Sequence, residues 1–302
     1  MPNTWLMVVF GATGAQGGSV VNAFLKDHAY KVRAVTRDAS SEKAEELRAK
    51  GCEVVQADLD DAASVRQAVE GAYACFGVTN FWVDTKDPPR EIQQGKNLVD
   101  AVKDAGVKHF IFSGFEYIQK IIGIECPHFD AKGQIEEYMQ ESGVPFTGIR
   151  VSFYYQNFLT YFPPRKVDEG KYVLEIPMGH SMMDAIDVND IGECVHSILE
   201  KPKEYLGRFV GLSGTSMTVS HYADVFSKVF APNQVTDAKM TTDAMMKKSR
   251  RIGAIDLAVM FEFFKRGHPD RDSVLTRKLN PKTSSFEAWL KANKEKFNDV
   301  FR

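Results

Sequence analysis

Apolar and polar positions fall into alternating blocks along the first half of the chain. The apolar run Trp5–Phe10 stops at a glycine-rich turn, and an amphipathic stretch, Gly17–Lys26, follows it. The pattern then predicts a strand at Lys31–Thr36, a charged helix rich in Glu, Lys and Ala at Ser41–Lys50, and a third strand at Glu53–Gln56. A helix at Ala62–Val69, a buried strand at Ala72–Val78, a helix at Glu91–Ala105 and a strand at His109–Phe112 continue the rhythm. Short apolar runs bounded by turn residues read as strands, and apolar positions three or four apart read as helix faces. A helix at Asp130–Ser142 and a strand at Phe146–Val151 extend the series.

Strand–helix alternation of this kind requires a parallel sheet covered by helices on both faces. Right-handed crossovers wind it in both directions, so the fold class is α/β, a doubly wound parallel Rossmann sheet. After Val151 the rhythm breaks, with aromatics and prolines clustered from Phe153 to Pro164. Asp187–Asp190 reads as a helix start, and Val219–Phe230 and Ile255–Arg266 read as amphipathic stretches. The expected organisation is a Rossmann domain at 1–151 and a smaller mixed α/β lobe at 152–302, packed over the sheet's carboxyl edge.

A length of 302 residues, 44% of them hydrophobic and 26% charged, suits a globular protein with a large core. A net charge of −2 gives no pull toward nucleic acid or an anionic membrane, so direct contact with either is not expected. The run after Thr4 is short for a signal-peptide core and lacks a basic flank, and it reads better as a strand. The four cysteines, Cys52, Cys75, Cys126 and Cys194, show no zinc or Cys-x-x-Cys spacing. No metal site is expected, and scattered thiols suit a reducing compartment.

The candidate chemistry begins at the glycine turn. Gly11, Thr13, Gly14, Ala15, Gln16 and Gly17 lie between the first strand and the first helix. The first glycine permits a sharp turn, the second lets the backbone approach a pyrophosphate, and the third lets helix and strand pack closely. First-turn N–H groups and the positive end of the helix dipole then meet the phosphates. A free ribose 2′-hydroxyl calls for an Asp or Glu about 20 residues on. Arg37 stands there instead, and a guanidinium suits a 2′-phosphate, so NADP(H) is the expected cofactor. Asp38 beside it would repel that phosphate. Asp58 and Leu59 follow the third strand, and Thr79, Asn80 and Phe81 follow the fourth, both placed to face the same cleft.

Catalysis is harder to assign. Short-chain dehydrogenases carry Tyr-x-x-x-Lys, which puts a phenol and an ammonium on one helix face so that the lysine can lower the tyrosine's pKa. No tyrosine of this chain has a lysine four residues later. The spacing belongs to His128 and Lys132, with Ser113 at the end of the fifth strand. His128 reads either as a proton donor or as a helix-start residue without chemistry. Lys132, His128 and Ser113 are therefore candidates, and none is assigned as catalytic.

The segments at 8–20, 31–37, 71–74, 78–80, 128–133 and 136–138, with 237–241 and 269–272 in the second half, resemble the NmrA-like family of atypical short-chain dehydrogenases. The resemblance implies an NADP(H)-binding redox sensor. Its cofactor contacts carry over to Gly11–Gly17, Arg37, Asp58, Thr79, Asn80, Lys132 and the segment Tyr154, Tyr155, Gln156 and Asn157. It departs after Arg37, where Asp38–Ser41 replaces further basic residues. The resemblance also implies a homodimer that responds to the cofactor ratio, argininosuccinate synthase as a protein partner, and a cytoplasmic location extending to the nucleus. The alternative is an NADPH-dependent reductase of the isoflavone-reductase type, in which Lys132 is the acid–base group ahead of Ile135 and Glu136.

Overall fold

The computed structural model describes residues 4–82, 87–248, 253–267 and 269–302. In chain order the elements begin with β1 (Trp5–Val9), α1 (Ala15–Phe24), β2 (Tyr30–Thr36), α2 (Glu42–Ala49), β3 (Glu53–Gln56) and α3 (Ala62–Val69). They continue with β4 (Ala74–Gly77), α4 (Pro88–Asp104), β5 (His109–Gly114), α5 (Ile118–Ile122), α6 (Pro127–Ser142) and β6 (Phe146–Val151). Next come β7 (Phe153–Tyr154), α7 (Asn157–Thr160), β8 (Arg165–Asp168), β9 (Lys171–Leu174) and β10 (Met183–Ile186). The chain then forms α8 (Ile191–Leu199), α9 (Pro202–Tyr205), β11 (Arg208–Leu212), β12 (Thr215–Met217), α10 (Val219–Val229) and β13 (Gln234–Asp237). The last helices are α11 (Thr242–Lys248), α12 (Ala254–Lys265), α13 (Ser273–Leu279) and α14 (Phe286–Ala292).

Side-chain caps set many of the helix starts. Ser41 accepts from the Ala44 amide, Asp61 from Ala63 and Ser64, and Asp87 from Arg90. Each oxygen satisfies a first-turn N–H that has no partner inside the helix. Prolines with a preset φ open α4 and α6, which therefore start a few residues before the apolar periodicity does.

The chain forms two compact units. The first comprises the chain up to Tyr117, Pro127–Arg150 and Asn189–Val210; the second comprises Ile118–Cys126, Val151–Val188 and the chain from Gly211. The first unit carries a seven-stranded sheet in the order β11-β6-β5-β4-β1-β2-β3. Its pairs from β3 through β6 are all parallel, with Val9 opposite both Ala34 and Phe76. From β1 the chain steps outward to β2 and β3, then returns to β4 on the other side. The carboxyl ends of β1 and β4 thus form a switch point, where such sheets open a crevice for ligands. Val8, Val9, Phe76, Phe110 and Phe112 are fully buried in this unit.

The second unit has two three-stranded sheets, β12-β10-β7 and β13-β9-β8. Its core is aromatic: Phe158 lies 5.4 Å from Phe226 and 5.1 Å from Phe286, ring centre to ring centre. The Tyr222 hydroxyl donates to the Met183 carbonyl oxygen at 3.1 Å, so the buried ring keeps its polar end paired. Among the described residues no helix is long and apolar enough to cross a membrane.

Candidate functional site

The turn after β1 is built for close approach. Gly11 has φ +66°, a conformation that L side chains rarely adopt, and its carbonyl oxygen accepts from the Gly14 amide at 2.9 Å. A methyl group on Gly17 would lie 2.2 Å from the Gly11 oxygen, which is backbone and cannot step aside. Gly14 caps α1 in an extended conformation with no side chain to satisfy the first-turn amides. Gly11, Gly14 and Ala15 are exposed, Thr13 and Gln16 half-buried and Gly17 buried. This cradle, with the positive end of α1 behind it, fits a pyrophosphate.

On the β2–β3 side, Arg37 is exposed at the strand end. Asp38 is turned into its own loop, where its carboxylate accepts from the Ser40 hydroxyl at 2.6 Å and the Ser40 amide at 2.8 Å. Those bonds hold its carboxyl below the usual carboxylate range. The loop after β3 is braced: the Ser64 hydroxyl donates to the Asp58 carbonyl oxygen, and the Asn97 amide group donates to that of Leu59 at 2.8 Å. Asp60 takes a two-pronged contact from Arg90, which keeps its carboxyl low, with Arg37 adding to the effect.

The β4 side holds the unexpected part of the site. The ammonium of Lys132 on α6 donates to the Thr79 carbonyl oxygen at 3.0 Å, to the Thr79 hydroxyl oxygen at 2.8 Å, and to Glu91 on α4. The Thr79 hydroxyl in turn donates to Glu91 Oε1 at 2.7 Å. All three N–H donors of the lysine are therefore occupied. Thr79, Glu91 and Lys132 are 2%, 3% and 7% exposed. Glu91 Oε2 is buried with no hydrogen-bond partner among the described residues. Asn80 is exposed, and its side-chain oxygen accepts from the Trp82 amide. Buried Phe81 and exposed Trp82 pack on His128, the Trp82 and His128 rings being 5.0 Å apart. Ser113 is buried within β5, opposite Ile149 of β6.

Tyr154, Tyr155, Gln156 and Asn157 belong to the second unit. Tyr155 is a core residue there, packed on Phe286 and Trp289 with its hydroxyl 2.7 Å from Thr215 Oγ1. Gln156 donates to Asp187 at 2.6 Å and accepts from the Val188 amide. The phenylalanines and tyrosines of the second unit largely fill its core.

Glu91 was not singled out in the sequence. It sits in the first turn of α4, where an acidic residue is ordinary company for the helix dipole. Nothing in the chain's local pattern links it to a lysine on another helix.

The sequence profile of the NmrA-like family matches residues 3–290. An NmrA-like family domain-containing oxidoreductase, notA, of Aspergillus sp. (strain MF297-2) is 34% identical over 251 residues, covering 76% of this chain and 73% of its own. The crystal structure of NmrA, a negative transcriptional regulator, in complex with NADP superposes with a TM-score of 0.80 at 21% identity, covering 96% of this chain and 95% of that one. An NADPH-dependent quinone oxidoreductase of Escherichia coli, complexed with NADPH, gives a TM-score of 0.78 at 22% identity, covering 97% and 100%.

Proposed function

The chain belongs to the NmrA-like family, and from that premise we propose that it binds NADP(H) and works as a redox-responsive regulatory protein rather than a fast reductase. The pyrophosphate would lie on the Gly11–Gly17 cradle and the 2′-phosphate beside Arg37, and the second nucleotide would cross the switch point toward Thr79 and Asn80. The bound cofactor would supply a hydride; the chain's own residues decide whether a proton accompanies it.

The observation that carries the regulatory reading is the state of Lys132. Its three donors are held by Thr79 and Glu91. A general acid needs a proton aimed at substrate, and the tyrosine that such a lysine ordinarily assists is replaced by His128, buried against Phe81 and Trp82. A regulator needs only two conformations that the cofactor's forms bind unequally, because a ligand shifts an equilibrium by its differential affinity. A change in self-association or in the grip on a protein partner would report the shift; the family resemblance points to a homodimer and to argininosuccinate synthase. The oxidoreductase naming of relatives such as notA supports the second reading, an NADPH-dependent reductase.

Calorimetric titration with NADPH, NADP⁺, NADH and NAD⁺, with light scattering on each sample, separates the readings. A phosphate-dependent preference accompanied by a change in mass supports the regulator. Binding without any change in mass or shape favours the reductase, and a substrate screen with Lys132→Ala as control follows. Failure to bind any dinucleotide sinks both.

A further inference from the structure

The buried Glu91–Lys132 pair is more than a brace, because it decides the net charge at one end of the cleft. In the reading above Arg37, just past the end of β2, would mark the 2′-phosphate half of the site. The two nucleotides of such a cofactor straddle the switch point, so the β4 side, with Thr79, Glu91 and Lys132, would take the nicotinamide half. The two forms of the cofactor differ there by one charge: the oxidised ring is a cation and the reduced ring is neutral. A lone buried ammonium would repel the oxidised ring, and a lone buried carboxylate would attract it. Burial strengthens either effect, since little water screens it.

Resting on the NADP(H) reading above, we propose that Glu91 is the residue that sets the protein's discrimination between NADP⁺ and NADPH, by cancelling the charge of Lys132 beside the nicotinamide. Its side chain is buried and in direct ion pair with the buried Lys132 ammonium, so the pair presents almost no net charge. The Thr79 hydroxyl fixes the geometry by bonding to both partners. Glu91 Oε2, buried and without a partner among the described residues, leaves the carboxylate one acceptor short of satisfied. That arrangement is costly for stability alone and fits a group kept for its charge.

The test is the ratio of the dissociation constants for NADP⁺ and NADPH, measured on the full chain by calorimetry, with wild type read at each pH used. Glu91→Gln keeps the side-chain shape and leaves Lys132 uncompensated; near pH 6 the ratio should rise about threefold or more. Lys132→Met, which leaves the Glu91 carboxylate uncompensated, should lower it about threefold or more near pH 8. The double variant should return the ratio to the wild-type value, and Thr79→Val, which removes hydrogen bonds but no charge, should weaken both forms alike. Parallel losses for both forms, with the ratio unmoved in Glu91→Gln and Lys132→Met, would make the pair structural and overturn the inference. A wild-type protein that binds neither form would remove the cofactor reading and this inference with it.

Discussion

Gly192 of α8 lies so close to Ser19 of α1 that a methyl group added to it would fall 2.1 Å from the Ser19 carbonyl oxygen. The serine hydroxyl closes the contact, donating to the Asn189 carbonyl oxygen at 2.8 Å and accepting from the Gly192 amide at 2.9 Å. The helix that begins at the glycine cradle is thus locked to α8 by backbone approach. Gly192→Ala should destabilise the chain by about 1–3 kcal/mol in urea unfolding, since neither backbone can yield cheaply. Ser19→Ala should cost about 1–2 kcal/mol through two lost hydrogen bonds. Wild-type stability in Gly192→Ala would mean that the helices are free to separate.

Arg37 is the basis for expecting a phosphorylated cofactor, and Asp38 is the objection to it. In the structure the Asp38 carboxylate is turned to Ser40 within its own loop, which orients it but keeps it charged. Arg37→Ala should weaken NADPH binding about tenfold or more while leaving NADH binding nearly unchanged. Asp38→Asn should strengthen NADPH binding modestly, by removing a nearby negative charge. Equal losses for both cofactors in Arg37→Ala would place the 2′-phosphate elsewhere.

The legible parts of this chain are those governed by local rules. The strand Glu53–Gln56 and the helix Ala62–Val69 were bounded from pattern alone, because turn residues and the Asp61 cap stand beside them. The glycine cradle was legible because each glycine answers a stated geometric need. The return of Asn189–Val210 to the first unit was not, since only the close fit of Gly192 to Ser19, far apart in sequence, reveals it. The partner of Lys132 was hidden for the same reason: Glu91 meets it through the packing of α4 on α6, where Gly95 leaves room for Ile135.

The thiols offer a third check. None of the four cysteines is in a disulfide, and all are buried. Burial pushes the Cys194 thiol up to about 12 and raises those of Cys75 and Cys52. The thiol of Cys126 contacts the Asp256 carboxylate at 3.2 Å within the second unit. A thiol reacts as its thiolate, so the native protein should react slowly with a disulfide reagent near pH 8 and release four equivalents only in denaturant. A cysteine that reacts rapidly in the native state would identify a redox centre separate from the dinucleotide site.

The last prediction concerns acid. His109 begins β5, and its Nε2 lies 2.7 Å from the Thr147 hydroxyl oxygen, whose own proton goes to the Tyr205 carbonyl oxygen. That oxygen can only accept from the ring, so the neutral ring carries its proton on Nε2. Nδ1 is buried with no partner among the described residues, and a charged ring would place an unanswered N–H there. Burial lowers the pKa of His109 to about 4, against about 6.5 for an exposed histidine. A depressed folded value means that the unfolded chain binds the proton first. Stability is fully present above about pH 6.5 and is lost as pH falls toward the folded value. Between pH 7 and pH 5, above most carboxylate titrations, this one residue should remove about 2 kcal/mol from the free energy of unfolding. His109→Gln, which keeps a donor for Thr147 without a titrating ring, should flatten the pH dependence over that interval. An imidazole resonance of His109 that titrates near pH 6.5 in the folded protein would show that the ring accepts its second proton without penalty.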